Sequence, residues 1–225
     1  MKSHWSMHAL VTVSAALASW SAVAAEISDR AGKVDLSLQL SDYSSETING
    51  EQGSRASLKT DLGTGFNFAY NVDNHWAFGL EFSWRSSDYS VTTTPDIGNP
   101  GPSFERSGKL DTSTTALTAT YHFSPARFTP LITGSIGRTW IDTNVPAGPP
   151  VVACWWDPWW GQYCGPTVPT KSDVYWSYGL GLGVRWDSTG PFFLRGLVSQ
   201  QWIDVGGNVG TPTVTQFRVD IGARF

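Results

Sequence analysis

The side chains able to do covalent chemistry are few. The 225 residues include four His and two Cys. His4 and His8 fall in a leader-like stretch, which leaves His75 and His122. Acyl transfer or hydrolysis needs a nucleophile with a base in reach, and no Ser–His pairing occurs at strand spacing. His75 and His122 are expected at the ends of extended segments, as a turn residue and an interior or interfacial one. Two Cys and two dispersed His lack zinc-site spacing. No glycine-rich loop precedes a helix to cradle phosphate. The expectation is a non-enzymatic chain with no catalytic residue, metal or cofactor.

One segment has binding character: Cys154-Trp-Trp-Asp-Pro-Trp-Trp-Gly-Gln-Tyr-Cys164. An even Cys count in an exported chain points to a Cys154–Cys164 disulfide. The ring it closes holds Trp155, Trp156, Trp159, Trp160 and Tyr163. Three readings stand side by side. The ring is a self-packed hairpin turning at Asp157-Pro158, or an aromatic platform for a glycan or protein, or a set of Trp dipping into a lipopolysaccharide interface.

The elements that must position this loop are strands. Hydrophobic residues make up 40%, charged residues 15% and aromatics 13%, with 23 Gly; mean hydropathy is −0.18. No apolar run reaches the roughly 18 residues of a membrane helix. Period-2 alternation recurs instead, most cleanly at 76–85, where Trp76, Phe78, Leu80, Phe82 and Trp84 share one face. Eight such segments are expected, at about 33–43, 56–72, 75–90, 108–123, 127–142, 173–187, 191–204 and 212–225. The parity of the fifth stays open because Pro130 and Gly134 interrupt it. In segments two, three, six, seven and eight, charge is expected only on the parity opposite the apolar residues. Short connections (Asp73-Asn74, 124–126, 187–190) alternate with long ones (44–55, 91–107, 143–172, 205–211). That pattern predicts an all-β, eight-stranded antiparallel transmembrane barrel of up-and-down topology. Short turns and both termini would face the periplasm, with long loops outside.

Residues 1–25 read as a cleaved signal peptide: Lys2, an apolar run from Ala9, then Ala22-Val-Ala-Ala25. The barrel domain would be 26–225, exported to the outer membrane. Losing Lys2 leaves 14 basic against 19 acidic side chains, a formal net charge of −5, and mild acidity speaks against nucleic-acid binding. The interior of an eight-stranded barrel is just wide enough for side chains to fill. The interior charges expected are Asp35, Lys59, Asp61, Glu81, Arg85, Arg185, Arg195, Arg218, Asp220 and Arg224. They would form an ion-pair network that plugs the lumen, with Glu81, Asp220 and Arg195 at similar depth and Arg85 meeting Asp61 nearer the outside. The alternative is a narrow path for ions or small solutes lined by the same residues. Eight strands can close within one chain, so a monomer is expected.

With its strand count, Ala77-Phe-Gly-Leu-Glu81, Tyr178-Gly-Leu-Gly-Leu-Gly183 and the ending Phe217-x-Val-x-Ile-x-Ala-x-Phe225, the chain resembles the small outer-membrane barrel family. That family includes opacity-type surface antigens and OmpA/OmpX-type, porin-like barrels. The resemblance implies that Phe217, Val219, Ile221 and Phe225 carry the signal read by the barrel assembly machinery. It also implies surroundings of outer-membrane lipid and lipopolysaccharide, with any surface ligand, glycan or protein, met at loop 143–172.

Overall fold

The structure is a computed structural model that describes residues 27–49, 55–58, 60–93, 104–159, 161–206 and 211–225. The expected signal peptide, Lys59 and Trp160 lie outside the described residues. In chain order the strands are β1 (Val34–Tyr43), β2 (Glu46–Asn49), β3 (Arg55–Leu58), β4 (Asp61–Asn71), β5 (Trp76–Thr93), β6 (Phe104–His122), β7 (Phe128–Pro146), β8 (Val151–Asp157), β9 (Gly161–Thr167), β10 (Thr170–Asp187), β11 (Phe192–Asp204) and β12 (Thr213–Arg224). Eight of them (β1, β4, β5, β6, β7, β10, β11 and β12) pair antiparallel in sequence, and β1 closes on β12. Closure leaves no open edge, as hydrocarbon demands of backbone polar groups.

The register fixes the barrel's shape. From Val34 the paired residues run Tyr70, Phe78, Ala119, Gly134, Leu180, Gln200 and Thr215. The Thr215 carbonyl accepts from the Ser44 amide, ten residues beyond Val34 on the same strand. Given about 3.4 Å per residue and 4.8 Å between strands, that displacement tilts the strands by about 40°. Each residue then climbs roughly 2.6 Å along the barrel axis.

At one end the connections are tight. Asp73 Oδ1 accepts from the amides of His75 and Trp76, both at 2.6 Å, and those two bonds hold its carboxyl below the usual carboxylate range. Ser124 Oγ and Ser188 Oγ accept from Ala126 and Gly190 in the same manner. The other end carries the longer loops, within which β2 and β3 pair with each other and β8 pairs with β9. The second expected segment is split: β3 and β4 both pair with β5, but with a one-residue register shift between them. Leu58 therefore pairs with Tyr89, out of step with Leu62, the residue it was expected to follow.

The outward parity is apolar through the middle: Leu36, Leu38, Phe68, Phe78, Leu80, Leu117, Leu180, Leu182, Leu194, Val219 and Ile221 are all exposed. Phe217 and Phe225 continue that series. The structure resolves the fifth segment: in β7, Ile136 and Trp140 face outward, while Thr129, Leu131 and Thr139 are buried. One expectation fails. Asp88 and Asp204 are exposed on the outward parity of β5 and β11, alongside Trp84 and Trp202. Asp42, Asp111, Arg138 and Asp142 are exposed there too. All six lie toward the loop end: Asp88, Asp111, Asp142 and Asp204 where the strands have run past the roughly 25 Å that hydrocarbon covers, and Asp42 and Arg138 near its outer margin. Alternation continues beyond the membrane, but the solvent on the outside has changed.

Inward, close strand approach calls for small residues. A Cβ on Gly137 would run into the Thr115 carbonyl and the backbone of Ala116, whereas one on outward Gly134 would meet nothing within 4 Å. Gly137→Ala should therefore destabilise the folded form by about 1–3 kcal/mol, while Gly134→Ala stays within about 0.5 kcal/mol of the parent. Urea titration of micelle-folded protein, read by the fast-migrating unheated gel band, checks the pair.

Candidate functional site

The lumen is built from the inward parity, and its turn-end half holds two sets of ion pairs, one around Asp187 and one around Asp220. Asp187 is at its foot with 0% exposure, accepting from Arg30 Nε and from Arg185 Nε, each at 2.8 Å. Arg224 Nη1 lies 3.4 Å from the same carboxylate. Arg185 turns its other edge to Asp35, with Nη2 3.1 Å from Oδ1 and Nη1 on Oδ2. That is the two-pronged geometry a guanidinium offers a carboxylate. Arg185 and Arg195 are register partners, and each has its own acid. Arg195 Nε donates to Asp220 at 2.6 Å, Arg218 Nε lies 3.1 Å from Asp220, and Arg218 Nη1 donates to Glu81 at 2.6 Å. An ion buried this deeply costs several kcal/mol unless partnered, so the alternation of sign within each set is what makes the interior tolerable.

Of the ten charges expected inside, Asp35, Arg185, Arg195, Arg218, Asp220, Glu81 and Arg224 belong to these two sets, with Arg195 and Asp220 register partners and Glu81 joined to Asp220 through Arg218. Arg85 and Asp61 stand apart at the loop end. Arg85 lies over the ring of Tyr43, 4.5 Å from its centroid, while Asp61 Oδ1 accepts from the Leu62 amide. The expected meeting of Arg85 and Asp61 gives way to a cation–π contact.

Between these two levels the lumen is neutral. Thr114, Thr139 and Ser177 form a hydroxyl relay at 2.9 Å per step, and Gln216 Nε2 donates to Ser41 Oγ at 2.7 Å. About 30 Å³ of water-accessible space remains beside this layer, lined by Ser83, Thr118, Ser135 and Ser199 and, toward the ion pairs, by Glu81 and Arg218. That is room for only a water or two. His122 is buried at the turn end, its Nδ1 3.2 Å from the His75 carbonyl oxygen, and no hydroxyl nucleophile is paired with it among the described contacts.

Sequence reasoning missed two members of the set around Asp187. Asp187 was read as a turn residue, although it lies two residues after Arg185 on one parity. Arg30 precedes every periodic segment and leaves no pattern to find. Yet its guanidinium is wholly buried, donating to Asp187, Asn74 O (3.2 Å), Ser124 O (3.1 Å) and Ala126 O (2.6 Å). The segment carrying it is laced to the barrel by Ser28 N donating to Pro125 O at 2.7 Å and Arg224 Nη1 to Ser28 Oγ at 2.7 Å. It forms a strap across the turn end.

At the opposite end, Cys154 and Cys164 are register partners joined by a disulfide with S–S 2.11 Å. Trp155 pairs in register with Tyr163, and Asp157 with Gly161. The chain therefore reverses after Asp157, with Pro158 and Trp159 in the turn and Gly161 at φ 75°, later than the expected Asp157-Pro158. Trp156 is 76% exposed and Trp159 84%.

The outer membrane protein beta-barrel domain family matches residues 10–225. No curated protein matches the sequence. The outer membrane protein OprG from Pseudomonas aeruginosa shares the fold at 11% identity, covering 88% of this chain and 98% of that one, with a TM-score of 0.51. Ail of Yersinia pestis, solved with the heparin analogue sucrose octasulfate, matches at 12% identity over 87% of this chain and 99% of its own, with a TM-score of 0.47. The outer membrane protease OmpT from Escherichia coli matches at 10% identity over 90% and 99%, with a TM-score of 0.41. Such distances speak to the fold alone. Replacing Arg30 with Ala should cost about 3–5 kcal/mol, because it unpairs a buried contact and frees three turns at once. Lys33→Ala, which removes only an exposed pair with Asp29, provides the comparison in the same urea titration.

Proposed function

Because the chain belongs to the outer membrane protein beta-barrel domain family and so sits in the cell outer membrane, we propose that it is a non-enzymatic surface barrel, closed to solutes, that acts through its external loops. The contact surface in this reading is the β8–β9 hairpin, and its partner is a glycan or a protein. The observation that carries it is the exposure of Trp156 and Trp159 on a disulfide-closed turn. Large exposed aromatics on a rigid support lose little entropy on binding and offer flat faces to sugar rings or protein pockets.

The two other readings of the hairpin fit less well. A self-packed ring would hide its indoles, and these two are open. Insertion at the lipid interface meets a distance problem. β7 and β10 remain paired out to Pro146 and Thr170, eight residues beyond Arg138 on β7. At the barrel's tilt that places the base of the hairpin roughly 20 Å past the outer girdle.

A channel is the competing function, and the two sets of buried ion pairs in the turn-end half of the lumen argue against it. The signal peptide remains part of the proposal, as does the reading of Phe217, Val219, Ile221 and Phe225 as the assembly signal. Trp156→Ala with Trp159→Ala should lower adhesion of cells displaying the barrel to immobilised glycans or host-surface proteins by about tenfold or more, as loss of a hot spot does. Equal adhesion at equal surface display would remove the platform.

A further inference from the structure

Arg138 is a cation on the lipid-facing side of the barrel, near the outer edge of its apolar band. It is exposed on the outward parity of β7, between Ile136 and Trp140. Ten residues separate it from Phe128 at the start of the strand, which is roughly 26 Å along the axis, the full height of a barrel's apolar band. The guanidinium therefore stands at the outer boundary of the hydrocarbon. Around it is an aromatic belt: Trp140, Trp176 and Tyr178 are exposed at neighbouring positions, and Tyr178 stacks on Trp202 at 5.6 Å.

The geometry leaves Arg138 oriented and unspent. Its Cζ lies 4.9 Å from the centre of the Trp176 ring, and Trp176 is its register partner on β10. Stacking on the indole holds the guanidinium plane while leaving its N–H edges free to donate. No carboxylate among the described residues forms an ion pair with it. The nearest outward acids are Asp142, four residues further along the strand, and Asp204, the register partner of Trp176 on its far side. On β6 its partner is Thr115, a small half-exposed hydroxyl that leaves room beside it and adds a donor.

We propose that Arg138, backed by Trp176 and flanked by Thr115, forms a site for the phosphate of an outer-leaflet glycolipid. The ligand class follows from position and geometry. At this height the membrane presents phosphorylated sugar headgroups above acyl chains. A planar cation with a free edge pairs with phosphate in two-pronged fashion, while the apolar residues beneath receive the chains. A soluble phosphate would find the same guanidinium but not the apolar surface below it.

The test uses the intact barrel folded in nanodiscs, with native mass spectrometry counting retained lipid A. The parent should hold bis-phosphorylated lipid A about tenfold more than its dephosphorylated form, the scale of one charge-assisted contact. Arg138→Gln should abolish that preference, Arg138→Lys should keep part of it, and Trp176→Leu should weaken it. Unheated gel mobility establishes that each variant is folded. Millimolar inorganic phosphate should not displace the lipid. The proposal is overturned if Arg138→Gln keeps the preference or if the parent shows none. It also fails if inorganic phosphate competes, which would make this a site for the free anion.

Discussion

Everything inside this barrel depends on the requirement that buried charge be matched where it lies. Asp187 meets that requirement most severely, taking Arg30, Arg185 and Arg224 on one carboxylate with no exposure to water. From it the alternation of sign passes through Asp35 on one side, while Asp220 and Glu81 answer Arg195 and Arg218 above. Removing any member leaves its neighbour as an uncompensated ion in a poorly hydrated space. One set therefore ties β1, β10 and β12 together from within, and the other ties β5, β11 and β12. The strap at Arg30 extends the same device to the turns below. Outside there is only lipid, which supplies no comparable inward pressure, so the packing of the lumen carries the specificity of the fold.

The frame was largely legible in the sequence, because two-residue alternation with aromatic and aliphatic side chains on one face survives any tilt or register. The eight segments, the short and long connections and most of the inward charges followed from it. What alternation cannot report is where the membrane ends. Asp88 and Asp204 keep the parity of Trp84 and Trp202, yet they stand beyond the hydrocarbon, where facing outward means facing water or headgroups. A one-residue register shift between β3 and β4 likewise moved Leu58 out of step with Leu62, an event without a periodic signature. Arg30 escaped notice for the opposite reason: it lies in no strand, and its importance comes from three turns that only the closed barrel brings together.

The two ends of the molecule divide the work. At the turn end, charge is inward, paired and buried. At the loop end, charge comes to the outside, indoles gather in a belt, and the strands continue past the membrane to hold a cross-linked hairpin with Trp156 and Trp159 open to solvent. The neutral hydroxyl layer between them is polar but narrow.

Closure of the lumen is tested most directly by single-channel recording. Protein shown to be folded by its unheated gel mobility, then inserted into planar bilayers in concentrated KCl, should give no steady conductance at either polarity. Reproducible current steps that scale with salt and persist at constant voltage would contradict it. They would mean that the ion pairs around Asp187 and Asp220 line a path instead of closing one.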